Sequence, residues 1–278
     1  MKITSPLLFF VIAFGVVGCG NDTSSTNQST TSNASEPAAT ASNLPTVVLA
    51  TTGTGAPITY KDDNGNLTGI DVDVVKAIGA KEGFNVEVVQ VAWKNIFTGL
   101  EQKQYDIAVA GISWTEERAG KYALTNSYFS NPTSLIYKDE STIKPKSLSE
   151  LGNARVSVLA GSSYEKLLQN ASVGKIMPVD KGINGFIAMI RGQADAYIHS
   201  NINLRYFQAN YPDQHLQIQI VENPDEPSAQ HVMALNKDNT DLLEKLNNGI
   251  AKLKAEGEID KITNKHLAVA HMNPEEKQ

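Results

Sequence analysis

One arginine of this chain stands in a context that suits anion binding. Arg118 closes the segment Gly-Ile-Ser-Trp-Thr-Glu-Glu-Arg at 111–118, directly after the apolar strand pattern of Asp106–Ala110. An arginine is always charged, and its planar guanidinium can hold a carboxylate through two parallel hydrogen bonds. Because Arg118 follows the end of a strand, next to open backbone groups, we predict that it clamps an anion. The alternative is a surface ion pair with Glu116 or Glu117.

A second candidate for anion binding is the turn Gly161-Ser162-Ser163. This turn follows a strand pattern and opens a predicted helix, whose first N–H groups and dipole favour a negative charge. Ser162 and Ser163 are also ordinary residues for the start of a helix. Capping and anion binding are compatible, so the two interpretations stay open together.

The patterns around these residues indicate an α/β fold, because strands and helices alternate from Leu44 onward. An Asn-Gly pair within Tyr60–Asn66 predicts a hairpin. Two segments, Thr133–Lys138 and His231–Asn236, have the pattern of crossings between two lobes, which predicts a ligand cleft at a hinge. The predicted strands are Val47–Ala50, Val86–Val91, Asp106–Ala110, Arg155–Ala160, Ala194–His199 and Leu216–Ile220. Five helices are predicted. The first begins at Ile70, the second covers Asn95–Gln104, and the third runs from the 161–163 turn to about Gln169. The fourth contains the apolar residues from Ile183 to Ile190, and the fifth contains those from Leu242 to Leu253 and ends at Gly257.

Residues 1–18 have the features of a secretory signal peptide, since Lys2 precedes an apolar run, Leu7–Val17, that is too short to span a membrane. Cys19 is the one cysteine of the chain, so it has no disulfide partner within it. The small residues before Cys19 suit cleavage and thiol lipidation, an arrangement that resembles a bacterial lipoprotein box. Burial as a small hydrophobe is the alternative. We predict a lipid anchor at Cys19 and a flexible Ser/Thr/Asn-rich tether over 19–43.

Charge and motif content exclude several classes of function. The chain has 24 basic and 30 acidic residues, a formal net charge of −6, and no basic patch, so we expect no nucleic-acid partner. Its histidines show no close pair at metal-ligand spacing. No phosphate loop, cysteine pair or serine–histidine–acid pattern is recognisable. We therefore expect no metal, no cofactor and no catalytic residues.

The chain resembles the extracytoplasmic solute-binding proteins of family 3, the polar amino-acid receptors of ABC importers. The resemblance runs from about Val47 to Leu267 and rests on Gly-Ile-Asp-Val-Asp-Val-Val-Lys-Ala-Ile at 69–78 and on segment 111–118. It implies a two-lobe periplasmic-binding-protein fold of type II, in which each lobe is a mixed sheet flanked by helices and two hinge crossings join them. Lobe 1 would comprise 44–136 plus 232–278, and lobe 2 would comprise 137–231.

The resemblance also implies roles for individual residues. Arg118 matches the arginine that holds the ligand α-carboxylate, and Gly111 and Ser113 match positions that receive the α-amino group or the carboxylate. Trp93 matches an aromatic residue that packs on the ligand, although its spacing to later apolar residues also suits the core. The turn 161–163 matches one that offers amide donors to the same carboxylate.

Two departures from the family concern the ligand's ammonium group. The family holds it with an acidic residue after the strand that ends at His199, where this chain has Ser200; a second acidic position falls on Thr52. A desolvated ammonium without a carboxylate partner is costly. Either Ser113, Ser200 and carbonyl groups hold the cation above Trp93, or the ligand lacks an α-ammonium. An amino acid with altered ammonium recognition is the favoured interpretation.

The expected function is therefore the substrate-binding component of an ABC importer, which captures an amino acid or similar small carboxylate and is not an enzyme. His199 lies at the cleft edge, where it contacts the ligand or serves as a satisfied strand-end histidine. We expect a monomer at the periplasm or cell surface, with an ABC permease as its membrane partner. The alternatives are a dehydratase of cyclohexadienyl acids on the same fold and a lipoprotein sensor that feeds no transporter.

Overall fold

The first half of the folded chain is built around one sheet. The computed structural model of the protein describes residues 44–270, so the predicted signal peptide, Cys19 and the predicted tether lie outside the described residues. The elements of the first half are β1 (Thr46–Thr51), β2 (Tyr60–Lys61), β3 (Leu67–Thr68), α1 (Ile70–Glu82), β4 (Asn85–Gln90), α2 (Ile96–Glu101), β5 (Ile107–Ala108), α3 (Glu116–Lys121), β6 (Ala123–Leu124) and β7 (Phe129–Ser130).

The second half forms another sheet before the chain returns to the first. Its elements are β8 (Thr133–Lys138), β9 (Arg155–Leu159), α4 (Ser163–Asn170), β10 (Lys175–Val179), α5 (Gly182–Ile190), β11 (Ala196–Ser200), α6 (Asn201–Asn210) and β12 (Leu216–Ile220). The returning chain forms β13 (Gln230–His231), β14 (Ala234–Leu235), α7 (Thr240–Ala255) and α8 (Glu258–Ala270). Short 3₁₀ turns lie at Trp93–Asn95, Leu148–Leu151, Pro212–Gln214 and Pro227–Ala229.

The two five-stranded sheets have related topologies. The strand order is β4-β1-β5-β14-β6 in the first and β10-β9-β11-β8-β12 in the second. The first three strands of each order are parallel to one another, and the fourth is antiparallel to its neighbours. Both sheets are therefore mixed, which confirms the predicted two-sheet α/β fold.

Each sheet is buried on both faces. Successive side chains of a strand point to opposite faces, and in β1 Leu49 joins the cluster around α1 and α7 whereas Ala50 joins the cluster around α2. In β8, Leu135 and Ile136 divide between two clusters in the same way. None of the helices within residues 44–270 is long and apolar enough to cross a bilayer.

Helix α1 begins where the sequence predicted. Asp71 and Asp73 lie in its first turn, and Gly83 in the left-handed conformation ends it. Gly69 precedes the helix at a φ of +128°, and a Cβ atom there would lie 2.3 Å from the carbonyl oxygen of Ile58. A glycine is therefore required at this position, because no other residue fits so close to the neighbouring backbone.

The connections between the sheets differ from the predicted crossings. The segment Thr133–Lys138 is β8, which lies in the second sheet between β11 and β12. The chain passes to the second sheet before β8 and returns between β12 and β14, and β7 and β13 of these two passages pair with each other. The lobe boundaries remain a prediction.

The C-terminal part contains one helix more than predicted. Helix α7 has the predicted buried face, and α8 follows after Gly257. Ile259 and Ile262 of α8 are buried against the same cluster as α7. Their spacing of three residues is helical, so the sequence carried a weak signal for this helix.

Candidate functional site

A cavity of about 550 Å³ lies where the parallel strands of both sheets end. In α/β sheets of this kind, ligands bind in the crevice at the carboxyl ends of the strands. The lining residues at or just after the ends of β1, β4, β5, β9, β10 and β11 are, in that order, Thr52, Val91, Ala110, Leu159, Asp180 and Ser200.

Most of the predicted binding residues meet at this cavity. Those from the first half of the chain are Thr52, Trp93, Gly111 and Arg118, and those from the second half are Ser162, Ser163, His199 and Ser200. The predicted residues that do not line it are Ser113 and Gly161. Contact of these residues with a ligand stays a prediction.

Arg118 belongs to α3 and not to a strand end, contrary to the sequence analysis. Strand β5 ends at Ala108, and the chain turns at Gly111, whose φ is +63°. Thr115 then caps α3, its hydroxyl accepting the N–H of Arg118 at 3.2 Å. The physical reason for the difference is this cap: it starts a helix three residues before the arginine.

The guanidinium of Arg118 is buried and has few partners. Its Nη1 donates to the carbonyl oxygen of Ser113 at 2.8 Å, and its central carbon lies 5.7 Å from the ring centre of Trp93 and 5.1 Å from that of Phe97. The residue is 9% exposed. Burial lowers the pKa of Arg118 to about 10, so it remains charged at neutral pH.

No carboxylate pairs with Arg118 within residues 44–270. The surface ion pair considered as an alternative is not formed with Glu117, which binds Lys121 at 3.2 Å and also binds Lys166 of α4. A buried charge without a partner is costly, and a guanidinium offers five N–H donors. The geometry of Arg118 therefore suits an anionic ligand.

The start of α4 supplies further donors from the second half of the chain. Ser162 caps the helix, its hydroxyl accepting the N–H of Glu165 at 3.3 Å and donating to the carbonyl of Leu159 at 2.6 Å. Ser163 and Tyr164, the first two helical residues, line the cavity. Their N–H groups have no acceptor within the helix, so they are available to a carboxylate.

The two predicted residues outside the main cavity have other partners. The N–H of Gly161 donates to the carboxylate of Glu165 at 2.7 Å, and Gly161 lines a neighbouring cavity of about 220 Å³ that Arg118 also lines. Ser113 is 2% exposed, and its carbonyl supports Arg118. Ser162-x-x-Glu165 resembles a capping box, but the Glu165 carboxylate accepts the N–H of Gly161, one residue before the N-cap, and no sequence pattern predicted that contact.

Trp93 lines the cavity beside Arg118. Its ring meets Phe97 edge-on at 5.7 Å, and a Cβ atom on Gly161 would lie 3.9 Å from its Nε1. Trp93 packs against the apolar cluster and also lines the cavity, so its contact with a ligand stays a prediction.

The positions that depart from the family are occupied by a neutral hydrogen-bond network. The hydroxyl of Ser200 donates to the side-chain oxygen of Asn203, whose amide nitrogen donates to the carbonyls of Gly55 at 3.0 Å and Ala56 at 2.8 Å. The hydroxyl of Thr52 bonds that of Thr59 at 3.2 Å. These contacts satisfy the polar groups without any carboxylate.

His199 is neutral at physiological pH. Burial lowers its pKa to about 4, hydrogen bonding with Asn203 opposing the shift. Its Nδ1 lies 3.2 Å from the Ser200 hydroxyl, and its ring packs at 5.1 Å from that of Tyr164. It can offer a ligand hydrogen bonds but no charge.

Several lining residues of the cavity were not predicted from the sequence. Tyr164 and Asn203 each follow a predicted binding residue within three positions, and Lys94 and Lys181 lie at exposed positions. Nothing in the local sequence distinguishes Asn203 from a polar residue on a helix surface. Among the residues that the structure describes, no cluster of histidine, cysteine, aspartate or glutamate could hold a metal ion.

Comparison with known proteins shows the family. The model for bacterial extracellular solute-binding proteins, family 3, matches residues 47–269, which include every lining residue named above and all but the first residue of the two sheets. The chain belongs to this family.

Relatives and solved structures agree with the family. The amino-acid-binding protein AabA of Dichelobacter nodosus is 29% identical over 75% of this chain and 83% of its own length. A probable amino-acid ABC transporter-binding protein of Haemophilus influenzae is 27% identical over 84% of this chain and 90% of its own length. An ancestral arginine-binding protein, solved with glutamine and with arginine, is 29% identical with a TM-score of 0.72, over 80% of this chain and 97% of its own. These likenesses confirm the predicted fold and family.

Proposed function

We propose that this protein is the extracytoplasmic substrate-binding component of an ABC importer, and that it captures an amino acid or similar small carboxylate between its two sheets. The observation that carries the proposal is the buried guanidinium of Arg118, which has no carboxylate partner among the described residues and lies at a cavity that both halves of the chain line. Membership of the family and the similarity to amino-acid-binding proteins of other bacteria support it.

The binding mechanism follows from the donors on either side of the cavity. Arg118 of the first half and the amides of Ser163 and Tyr164 of the second half bind one carboxylate, so the ligand stabilises the arrangement in which the halves are close. A ligand can shift a conformational equilibrium only through its differential affinity for the two states, and contact with both halves supplies that difference. Trp93 packs against the remainder of the ligand.

Native mass spectrometry of freshly purified protein, followed by calorimetry with the ligand found, tests the proposal. Arg118→Met should weaken binding by about 30-fold or more, because truncating one side of a buried charge pair typically costs about 2–5 kcal/mol. Arg118→Lys should recover part of the affinity, since it keeps the charge without the planar fork. Arg191→Lys, at an exposed arginine of the second half, is the matched control. Unchanged binding in Arg118→Met would refute the proposal.

The permease partner separates the importer from a sensor that feeds no transporter. A pull-down from solubilised membranes in the presence of ligand should recover an ABC permease, and deletion of the gene should abolish uptake of the ligand. Ligand binding with normal uptake after deletion would favour the sensor.

The dehydratase alternative lacks a suitable acid. Such chemistry needs an acidic group with a shifted pKa at the reacting atoms. The pKa of Asp71 is raised to about 6 by burial, but Asp71 does not line the cavity. Asp180, the one carboxylate among the described lining residues, is exposed. Turnover of cyclohexadienyl acids by purified protein would reverse this assignment.

The proposal includes a membrane anchor. Cleavage before Cys19 and lipidation of its thiol would hold the protein at the membrane on the tether of residues 19–43. Stable membrane anchoring requires more than one acyl chain. Cys19→Ala should move the protein from the membrane fraction to the soluble fraction and abolish labelling with a radioactive fatty acid. Membrane retention of this variant would contradict the anchor.

A further inference from the structure

The charges that line the cavity are mostly positive. Arg118, Lys94 and Lys181 are cationic, whereas Asp180 is the one carboxylate among the described lining residues. The two lysines and Asp180 are exposed at the rim, and Asp180 accepts a hydrogen bond from Asn184 at 2.7 Å. The buried part of the cavity therefore contains one unpaired charge, and that charge is positive.

Two other carboxylates near the site are already engaged. Asp71 accepts hydrogen bonds from the N–H of Gly111 and the hydroxyl of Tyr128. Glu222 accepts the N–H of Thr133 at 2.7 Å and is bound by hydroxyl groups as well. Neither residue lines the cavity, so neither can receive a cationic group of a ligand.

At the two positions where the family has acidic residues, the polar groups are neutral and are hydrogen-bonded within the protein. Ser200 donates to Asn203, Asn203 donates to two backbone carbonyls, and Thr52 bonds Thr59. An ammonium group placed here would lose its hydration without gaining a carboxylate partner. It would also lie in the same buried space as the positive charge of Arg118.

We infer that the cavity selects solutes of net negative charge whose carboxylate is not accompanied by an α-ammonium group, such as small 2-oxo acids, 2-hydroxy acids or dicarboxylates. This inference rests on the proposed function and narrows its ligand class. The carboxylate binds Arg118 and the start of α4, and the position beside Ser200 and Asn203 receives a neutral oxygen-bearing group. The rim lysines favour a second anionic group.

The test compares ligands that differ only in the ammonium group. Calorimetry with 2-oxoglutarate against glutamate, and with 2-oxoisocaproate against leucine, should show the 2-oxo acid binding at least about tenfold more tightly in each pair, and arginine should not bind. If an amino acid binds as tightly as its 2-oxo acid or more tightly, and if Arg118→Met abolishes that binding, this inference is refuted and the proposed function stays intact. If no small carboxylate binds, the proposed function fails with it.

A gain-of-function variant tests the same inference from the protein side. Ser200→Asp supplies the missing carboxylate and should shift the preference toward the amino acid of each pair by about tenfold or more. Thr52→Asp, at a less buried position, is the second variant if Ser200→Asp does not fold. Asp180→Asn should leave the preference for the 2-oxo acid unchanged. Loss of amino-acid binding in Asp180→Asn would show that Asp180 receives an ammonium and would overturn the inference.

Discussion

The carboxylate of Asp71 accepts the backbone N–H of Gly111 at 2.8 Å. This bond joins the start of α1 to the segment that ends in Arg118, the two segments on which the family resemblance rests. The other oxygen of Asp71 accepts the hydroxyl of Tyr128 at 2.6 Å. Asp71 therefore holds the turn at Gly111 that leads to the anion-binding arginine.

Replacement of this carboxylate should weaken both folding and binding. In Asp71→Asn, the amide oxygen can accept the N–H of Gly111, but the amide nitrogen then faces the hydroxyl of Tyr128, whose buried proton is left without an acceptor. We expect a loss of about 2 kcal/mol in the free energy of unfolding, measured by urea denaturation, and weaker ligand binding by calorimetry. Asp63→Asn, at an exposed turn position, should change stability by less than about 0.5 kcal/mol. Equal effects of the two variants would contradict the role of Asp71.

This role shows where sequence reasoning stops. The sequence predicted a helix that begins at Ile70, which puts Asp71 in its first turn, where the dipole favours a carboxylate. Its hydrogen-bond partners lie 40 and 57 residues away, and no local pattern encodes such a contact.

Asn203 connects the two halves of the chain. Its side-chain nitrogen donates to the carbonyls of Gly55 and Ala56, and the residue is 3% exposed. Asn203→Ala removes both hydrogen bonds, so the close arrangement of the halves is less stable and ligand affinity should fall by about tenfold. Small-angle scattering should show a larger radius of gyration without ligand.

The matched control for Asn203 is a second contact between the halves. Lys166 of α4 pairs with Glu117 of α3, and the side chains of both residues are more than half exposed. Lys166→Met should therefore change affinity by less than about fivefold, since exposed ion pairs contribute little. A larger effect of Lys166→Met than of Asn203→Ala would show that surface charge controls closure.

His231 gives the fold a pH dependence. It is fully buried, and neither ring nitrogen has a hydrogen-bond partner among the described residues. Burial lowers its pKa to about 3, and the charges of His199 and Arg118 act in the same direction. An unfolded histidine titrates near about 6.5. As pH falls below that value the unfolded chain takes up a proton that the native state does not, and stability falls until about pH 3.

His231→Phe should remove this dependence. The buried carboxyl group of Asp71, whose pKa is raised to about 6, has the opposite effect between about pH 6 and about pH 4, because it takes up its proton first in the native state. The variant keeps the effect of Asp71 and that of His199, whose pKa is also lowered by burial, and loses only the contribution of His231. Between about pH 7 and about pH 4.5 it should gain about 2 kcal/mol relative to the wild type in urea denaturation. If the free energy of unfolding of the variant and of the wild type changes with pH in the same way, His231 is not held neutral in the native state.

The fold was more predictable than the site. Most strands that line the cavity have continuous apolar or alternating patterns and were predicted from them, whereas Thr52, Trp93 and Ser200 were assigned to the site from the family resemblance. The position of Arg118 on α3 was not predicted, because Thr115 starts a helix within a segment that has no apolar periodicity. Tyr164 and Asn203 were missed because their roles depend on the distance between two sheets.

The packing of α1 against α7 depends on a small residue. A Cβ atom on Gly249 of α7 would lie 2.5 Å from Cγ2 of Ile78 on α1, so Gly249→Ala must displace one helix or strain the isoleucine. We expect a loss of about 1–3 kcal/mol in the free energy of unfolding. Gly120→Ala on α3, where the added methyl group meets nothing within 4 Å, should be neutral or stabilising through helix propensity. Urea denaturation of both variants distinguishes the two causes: if both lose stability equally, the loss comes from something other than contact between α1 and α7.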